Sequence, residues 1–241
     1  DGSLLARIGA PYEAGEVVHI DDARIQTLEQ VEGFGMCPQR RYFAWARADG
    51  IQLTDGWNGP EVASFAWPDP HANLPAGVAL EDTGRPSPSS LIPFPDGRRV
   101  LLVSSDGIFV LQAEGATRLL PSLEDLQQEL ADGVAPEDLG IGLSMEHGAV
   151  SPDGQWIAVG EQSSSHLVFD ARLQRVAQIG PASEYPHFAH FNQRGDRLLL
   201  NACHFYGGAS VGVAVADLPG LSTDFYSDDA RTPVLQEGAR V

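Results

Sequence analysis

A tight turn flanked by apolar strands recurs along this chain, and it limits the folds that the chain can adopt. Its clearest copy is Ser151-Pro-Asp-Gly154, which precedes the apolar segment Trp156-Ile-Ala-Val-Gly160. Proline presets φ in the turn, the Asp side chain bonds back to the backbone, and Gly accepts a positive φ. The apolar segment suits a strand that is covered on both faces. The motif therefore predicts a hairpin within a layered β fold.

Three further segments follow the same order of turn and strands. They are Met36-Cys-Pro-Gln-Arg-Arg-Tyr-Phe-Ala-Trp45, Pro93-Phe-Pro-Asp-Gly-Arg-Arg-Val-Leu-Leu-Val103 and Phe191-Asn-Gln-Arg-Gly-Asp-Arg-Leu-Leu-Leu200. The intervals between Gly97, Gly154 and Gly195 lie near the period of radial propeller blades once surface insertions are allowed for. A stacked solenoid is the alternative, although solenoid repeats are usually shorter or helical.

The repeats also resemble a known family. The strings SPDG-x-x-IAVG…HLVFD and FPDGRRVLLVSSDGIFVLQ resemble blades of WD40-like and bacterial-type TolB-like β-propellers. Phe169-Asp170 and Ala216-Asp217 stand where WD40 blades carry Trp-Asp, and the Gly-His pair of that family is missing, so the TolB-like pattern fits better. The resemblance implies an all-β propeller of about four to five blades, each a four-stranded antiparallel sheet.

The whole chain, residues 1–241, is predicted to form one propeller domain. Its blade cores are expected at about 33–67, 91–120, 147–180 and 187–217. The N-terminal and C-terminal segments are candidates to share a closing blade, which would remove exposed sheet edges. The Pro-rich segment 68–90 predicts a long surface loop, and the tail after Pro219 is expected to start as a loop.

One short helix is predicted near 122–132, inserted between blades two and three. Ser122 suits the N-cap, Leu123, Leu126 and Leu130 fall at helical spacing, and Gly133 suits the position after the helix.

Charge restricts the partners of this chain. It carries 33 acidic and 15 basic residues, for a net charge of −18. Such a surface repels phosphate backbones, so nucleic acid is not expected as a partner. A protein partner is expected instead from the blade repeats, which carry no strong catalytic motif. No apolar run has the length of a membrane helix, so membrane insertion is not expected either. The oligomeric state is not readable, and the compartment is open, with the cytoplasm favoured over the periplasm.

Two cysteines, Cys37 and Cys203, are too few for a disulfide framework. Both lie at the edges of predicted core strands, which favours buried free thiols.

Histidines concentrate in blades three and four. His147, His187 and His190 stand at or just before the first strand of a blade, and His204 follows a second strand. In a propeller these positions open on one face, near the central channel. The resulting candidate binding surface comprises Glu146, His147, His187, His190, Cys203, His204, Phe205 and Tyr206.

Two functions are compatible with this surface. The first is a non-enzymatic scaffold that binds a protein through one face of the ring, with no cofactor and no catalytic residue. The alternative is a metal-dependent hydrolase or lyase that uses His147, His187, His190 and His204, because imidazole is a transition-metal ligand. Their spacing matches no metal signature. Gly208-Ala-Ser-Val-Gly212 lacks the strand–turn–helix context of a hydrolase nucleophile, so an enzyme is the less favoured choice.

Overall fold

The structure is a computed structural model that describes residues 4–8, 15–21, 24–78, 84–139, 141–162, 165–179, 189–202, 212–218, 220, 222–227 and 234–235. These residues form five antiparallel sheets. The first sheet contains β1 (Leu4–Ile8), β2 (Gly15–Asp21) and β3 (Arg24–Val31).

Blades one and two follow in chain order, each with its strands side by side in the sheet. Blade one consists of β4 (Gly33–Met36), β5 (Tyr42–Arg47), β6 (Gly50–Asp55) and β7 (Glu61–Phe65). Blade two consists of β8 (Pro88–Pro93), β9 (Val100–Ser104), β10 (Gly107–Gln112) and β11 (Gly115–Leu120).

Blades three and four repeat this order. Blade three consists of β12 (His147–Val150), β13 (Trp156–Gly160), β14 (His166–Asp170) and β15 (Arg175–Ile179). Blade four consists of β16 (Ala189–Phe191), β17 (Arg197–Ala202), β18 (Gly212–Asp217), β19 (Ser222–Ser227) and β20 (Val234–Leu235).

Successive sheets pack face to face, and each interface has its own apolar core. Alternate residues of β9 serve two interfaces, because side chains of a strand point to opposite faces. Leu102 packs with residues of blade one, whereas Leu101 and Val103 pack with residues of blade three. Similar cores join the first sheet to blade one and blade three to blade four. The first strands β4, β8, β12 and β16 contact one another in that order, so they form the inner wall.

In each of the four blades a hairpin joins the first strand to the second, and this hairpin is the turn that the sequence repeats. In blade three the Ser151 N–H donates to the Trp156 carbonyl at 2.9 Å, and the Gly154 N–H donates to the Ser151 carbonyl. The same two bonds occur at the turns that start with Cys37, Phe94 and Asn192. The fourth turn residue has a positive φ in all four blades: Arg40, Gly97, Gly154 and Gly195.

The predicted helix is confirmed as α1 (Leu123–Ala131), capped by the Ser122 side chain, which accepts from the Asp125 N–H. Beyond it lies a 3-10 helix at Pro136–Asp138. Leu126 of α1 is buried in a small cluster with Leu139 and Ile141. This cluster is separate from the blade cores, so the insertion forms a minor core of its own.

Two boundaries differ from the prediction. Blade two begins at Pro88, three residues before the expected start, because β8 lies at the edge of its sheet, where a residue without an N–H is tolerated. The tail after Pro219 contains the strand β19, which the polar sequence does not signal. In the described residues β20 pairs with β19, and β1 to β3 form a separate sheet. A closing blade shared by the two ends therefore stays a prediction.

Candidate functional site

The two faces of the ring differ in what they expose. We call the face on which β4, β8, β12 and β16 begin the entry face, and the opposite face, with the four repeated hairpins, the hairpin face. On the hairpin face neighbouring turns lie against each other, and the Gln39 Nε2 of blade one donates to the Pro152 carbonyl of blade three at 2.7 Å. The charged side chains of these turns are Arg and Asp, whereas on the entry face carboxylates meet imidazoles.

Glu146 ties the entry faces of blades two and three together. Its carboxylate accepts a hydrogen bond from the Ser89 hydroxyl at 2.7 Å, and that hydroxyl also lies 3.0 Å from the Val103 carbonyl. Ser89 is the second residue of β8, and Glu146 directly precedes β12. The carboxylate is half-buried and fixed in position, so it can present a negative charge near the inner wall.

His147 and His166 pack together across blade three. His147 pairs with Gly160 in the β12–β13 ladder, and the β13–β14 register then places Gly160 next to His166. The two imidazole centroids are 4.9 Å apart. A Cβ at residue 160 would lie 2.9 Å from the His147 ring and 3.2 Å from the His166 Cδ2. The rings can therefore meet only because the residue between them is glycine.

Glu161 adds a second carboxylate beside this pair. It follows Gly160 directly and accepts a hydrogen bond from the Ser144 N–H at 3.3 Å. Burial raises the pKa of Glu161 above its ordinary value of 4.5, and the negative charge of Glu146 raises it further, against the lowering effect of the Ser144 N–H. The entry face of blade three thus holds two carboxylates and two imidazoles.

The structure places some of the predicted surface and leaves the rest outside the described residues. Glu146 and His147 lie on the entry face, and His190 is exposed on β16, whose neighbour is β12. His187, Cys203, His204, Phe205 and Tyr206 lie outside the described residues. Among the described residues no group of three or more His, Cys, Asp or Glu side chains is arranged to hold a metal ion.

Cys37, the first residue of the blade-one turn, is a buried free thiol, as predicted. Its sulfur accepts from the Arg41 and Tyr42 N–H groups at 3.2 Å. The thiol therefore serves the hairpin rather than the entry face.

Ser89, Glu161 and His166 belong to the site, yet the sequence analysis did not select them. Ser89 lies in a segment whose prolines indicated a loop, and His166 opens an apolar strand that looks like core. The signal for His166 was the hairpin register: once the turns at 151–154 and the β13–β14 ladder are fixed, His147, Gly160 and His166 fall into one row.

No helix among the described residues is long and apolar enough to span a membrane.

Comparison with known proteins bears on the fold alone. No protein-family model and no curated protein matches the chain. Among solved structures, the β-propeller domain of Cps50 (Swd1) from Myceliophteria thermophila is similar, with 11% sequence identity and a TM-score of 0.48. The match covers 98% of this chain and 90% of that one. The chain is a β-propeller. Its face-to-face sheets and its inner wall of first strands establish that architecture independently of the comparison.

Proposed function

We propose that this propeller is a non-enzymatic scaffold that binds a partner protein through its entry face. The observation that carries the proposal is the set of side chains on the entry face, where Glu146, His147 and Glu161 of blade three adjoin β16, which carries the exposed His190. From the sequence, His187 and the segment Cys203-His-Phe-Tyr206 extend the same surface. Tyr and other aromatic side chains are frequent anchors at protein interfaces.

The chemistry of this face favours a partner that presents basic side chains. Two carboxylates lie there, and the chain as a whole carries a net charge of −18. Opposite charge on a partner speeds encounter and fixes its orientation, and both effects weaken as salt screens the charges. Binding should therefore weaken at high ionic strength.

The proposal is tested by comparing two triple variants in capture of partners from a cell extract. The entry-face variant carries His190→Ala, His204→Ala and Tyr206→Ala. The control carries Arg98→Ala, Gln155→Ala and Arg194→Ala, which are exposed residues of three turns on the hairpin face. Both variants should unfold at the same denaturant concentration as wild type.

We expect the entry-face variant to lose a partner that wild type and the control retain, and we expect Glu146→Gln to weaken that binding most at low salt. If the entry-face variant keeps every partner that wild type captures, this surface assignment is wrong.

A further inference from the structure

A cleft of about 610 Å³ lies between the outer strands of blades one and two, away from the entry-face residues described above. We call it the insertion cleft. Its lining includes Trp67, Asp69, Gly115, Ala116, Arg118 and Leu123.

Two segments inserted between blades, one after β7 and one that contains α1, contribute to the walls of this cleft. The segment after β7 supplies one wall, and Leu123 of α1 supplies part of another. These two segments pack on each other, because Leu74 and Val78 contact the cluster around Leu126. Trp67 is also fixed, since its Nε1 donates to the Arg47 carbonyl at 2.9 Å and Arg85 lies 5.0 Å above its ring. The cleft is therefore preformed.

The cleft also exposes a strand edge. β11 is the outermost strand of blade two, so one side of its backbone is outside the ladder. The side chains near its start are small, and Gly115 and Ala116 are exposed where they line the cleft. An edge of this kind can pair with an extended chain, and small side chains leave room for those of the ligand.

Arg118, the fourth residue of β11, has an incomplete set of partners. Its guanidinium lies 4.6 Å from the Phe109 ring centroid and donates to the carbonyl oxygens of Asp106 and Pro70. Its Nε is buried and has no hydrogen-bond acceptor among the described residues. Burial lowers the pKa of Arg118 to about 10, although Asp106 and Asp69 act in the opposite direction.

Five arginines of the described residues form ion pairs. Each has a carboxylate within 3.0 Å: Arg41, Arg85, Arg99, Arg175 and Arg197. Arg118 forms no such pair with a carboxylate in the described part of the chain. Its positive charge is therefore partly desolvated and is held by carbonyl oxygens and the Phe109 ring, with Asp69 and Asp106 near enough to act on it but not ion-paired with it. A carboxylate from a ligand would supply the missing ion pair.

We propose that the insertion cleft binds an extended peptide segment of a partner protein, which pairs with the free edge of β11 and places a carboxylate at Arg118. Trp67 and Leu123 contact an apolar side chain of the same segment. This site is independent of the entry face, because none of the entry-face residues lines the cleft.

The test uses phage-displayed random peptides of about twelve residues, long enough for one strand, selected on the full chain. Two variants probe the site: Arg118→Gln removes the charge, and Ala116→Glu adds a negative charge inside the cleft without changing Arg118. Ala48→Glu is the matched control, since Ala48 is exposed in the β5–β6 turn and does not line the cleft. Amide hydrogen exchange then locates the selected peptides.

We expect selected peptides to contain Asp or Glu next to an apolar residue. Arg118→Gln should weaken their binding about tenfold or more, the size expected from losing one charge-assisted hydrogen bond. Ala116→Glu should weaken it by repulsion between like charges, whereas Ala48→Glu should leave it unchanged. Bound peptide should slow exchange in residues 115–118.

Three results would overturn the proposal. They are recovery of no peptide above background, selected peptides that bind both cleft variants as tightly as wild type, and protection that maps to the entry face instead. None of these results would contradict partner binding by the entry face, so the two proposals can fail separately.

Discussion

At the scale of single residues, glycines set how closely neighbouring blades approach. Gly97 and Gly154 occupy the same position of the repeated turn, with φ of 66° and 71°. Their surroundings differ, because a Cβ at residue 97 would lie 2.5 Å from the Tyr42 ring of blade one, whereas a Cβ at residue 154 would be in ordinary contact with Pro95 at 3.4 Å. A side chain at residue 154 therefore causes backbone strain alone, whereas a side chain at residue 97 causes the same strain and a steric clash.

We predict that Gly97→Ala destabilises the fold more than Gly154→Ala. Both substitutions force an L-residue into the left-handed region, at a cost of about 1–2 kcal/mol. Gly97→Ala must also displace the buried Tyr42 ring, which should add about 1 kcal/mol or more. Urea unfolding of both variants measures the difference, and equal losses would show that the Tyr42 contact is not as described.

Glu161 gives the entry face a pH dependence whose sign follows from its burial. Because the pKa of Glu161 is raised in the fold, the folded chain binds more protons than the unfolded chain between pH 4.5 and the raised value. The contribution of Glu161 to stability is therefore fully present below pH 4.5 and is lost as the pH rises through this window.

We predict that Glu161→Gln relieves this loss. Glutamine keeps a carbonyl acceptor for the Ser144 N–H but cannot ionise. The free energy of unfolding of the variant, relative to wild type, should increase as the pH rises from below 4.5 towards neutrality and then stay constant. Denaturant unfolding at a series of pH values tests this, and a relative stability that increases on acidification instead would refute it.

At the scale of elements, the repeated hairpin depends on a side-chain acceptor at its first residue. The Ser151 hydroxyl accepts from the Trp156 N–H at 2.9 Å, the Cys37 sulfur accepts from the Tyr42 N–H, and the Asn192 amide oxygen accepts from the Arg197 N–H. Phe94 is the exception, and there Arg99 covers the buried ring at 4.2 Å. Three chemically different side chains thus perform one structural task.

We predict that Ser151→Ala costs about 1–3 kcal/mol, because it leaves the partly buried Trp156 N–H without that acceptor. Ser151→Cys introduces the residue that blade one uses at this position. It should therefore keep most of the stability that Ser151→Ala loses. Thermal and denaturant unfolding compare the two variants. If both lose the same amount, the acceptor is not what stabilises this turn.

Turn chemistry explains which elements the sequence could predict. The strands beside Ser151-Pro-Asp-Gly154 and the helix capped by Ser122 follow from local rules and are confirmed. β19 is a strand because it pairs with β18, and nothing in Ser222-Thr-Asp-Phe-Tyr-Ser227 required this locally. The His147–His166 contact depends on the register of three strands, and the insertion cleft depends on two insertions that are distant in sequence. Local propensity carries no information about either contact.

At the scale of the whole molecule, the central claim is that the blades surround an axis rather than form a linear stack. Both proposed sites depend on it, because radial blades begin on one entry face and because the outer strands of blades one and two diverge to leave the cleft between them. The bond from Gln39 to Pro152 is the most direct sign of this arrangement, since it joins blades one and three, which are not neighbours in sequence. In a linear stack, with sheets about 10 Å apart, these blades would be about 20 Å apart.

The decisive measurement is cross-linking of a Gln39→Cys, Pro152→Cys double variant with a short thiol-reactive reagent, analysed by mass spectrometry of the monomer. A Gln39→Cys, Gln178→Cys variant is the control, because Gln178 is exposed on β15, the outermost strand of blade three. The ring predicts an efficient intramolecular cross-link between residues 39 and 152 and none between residues 39 and 178. Failure of the first pair to react within one chain would contradict the propeller arrangement.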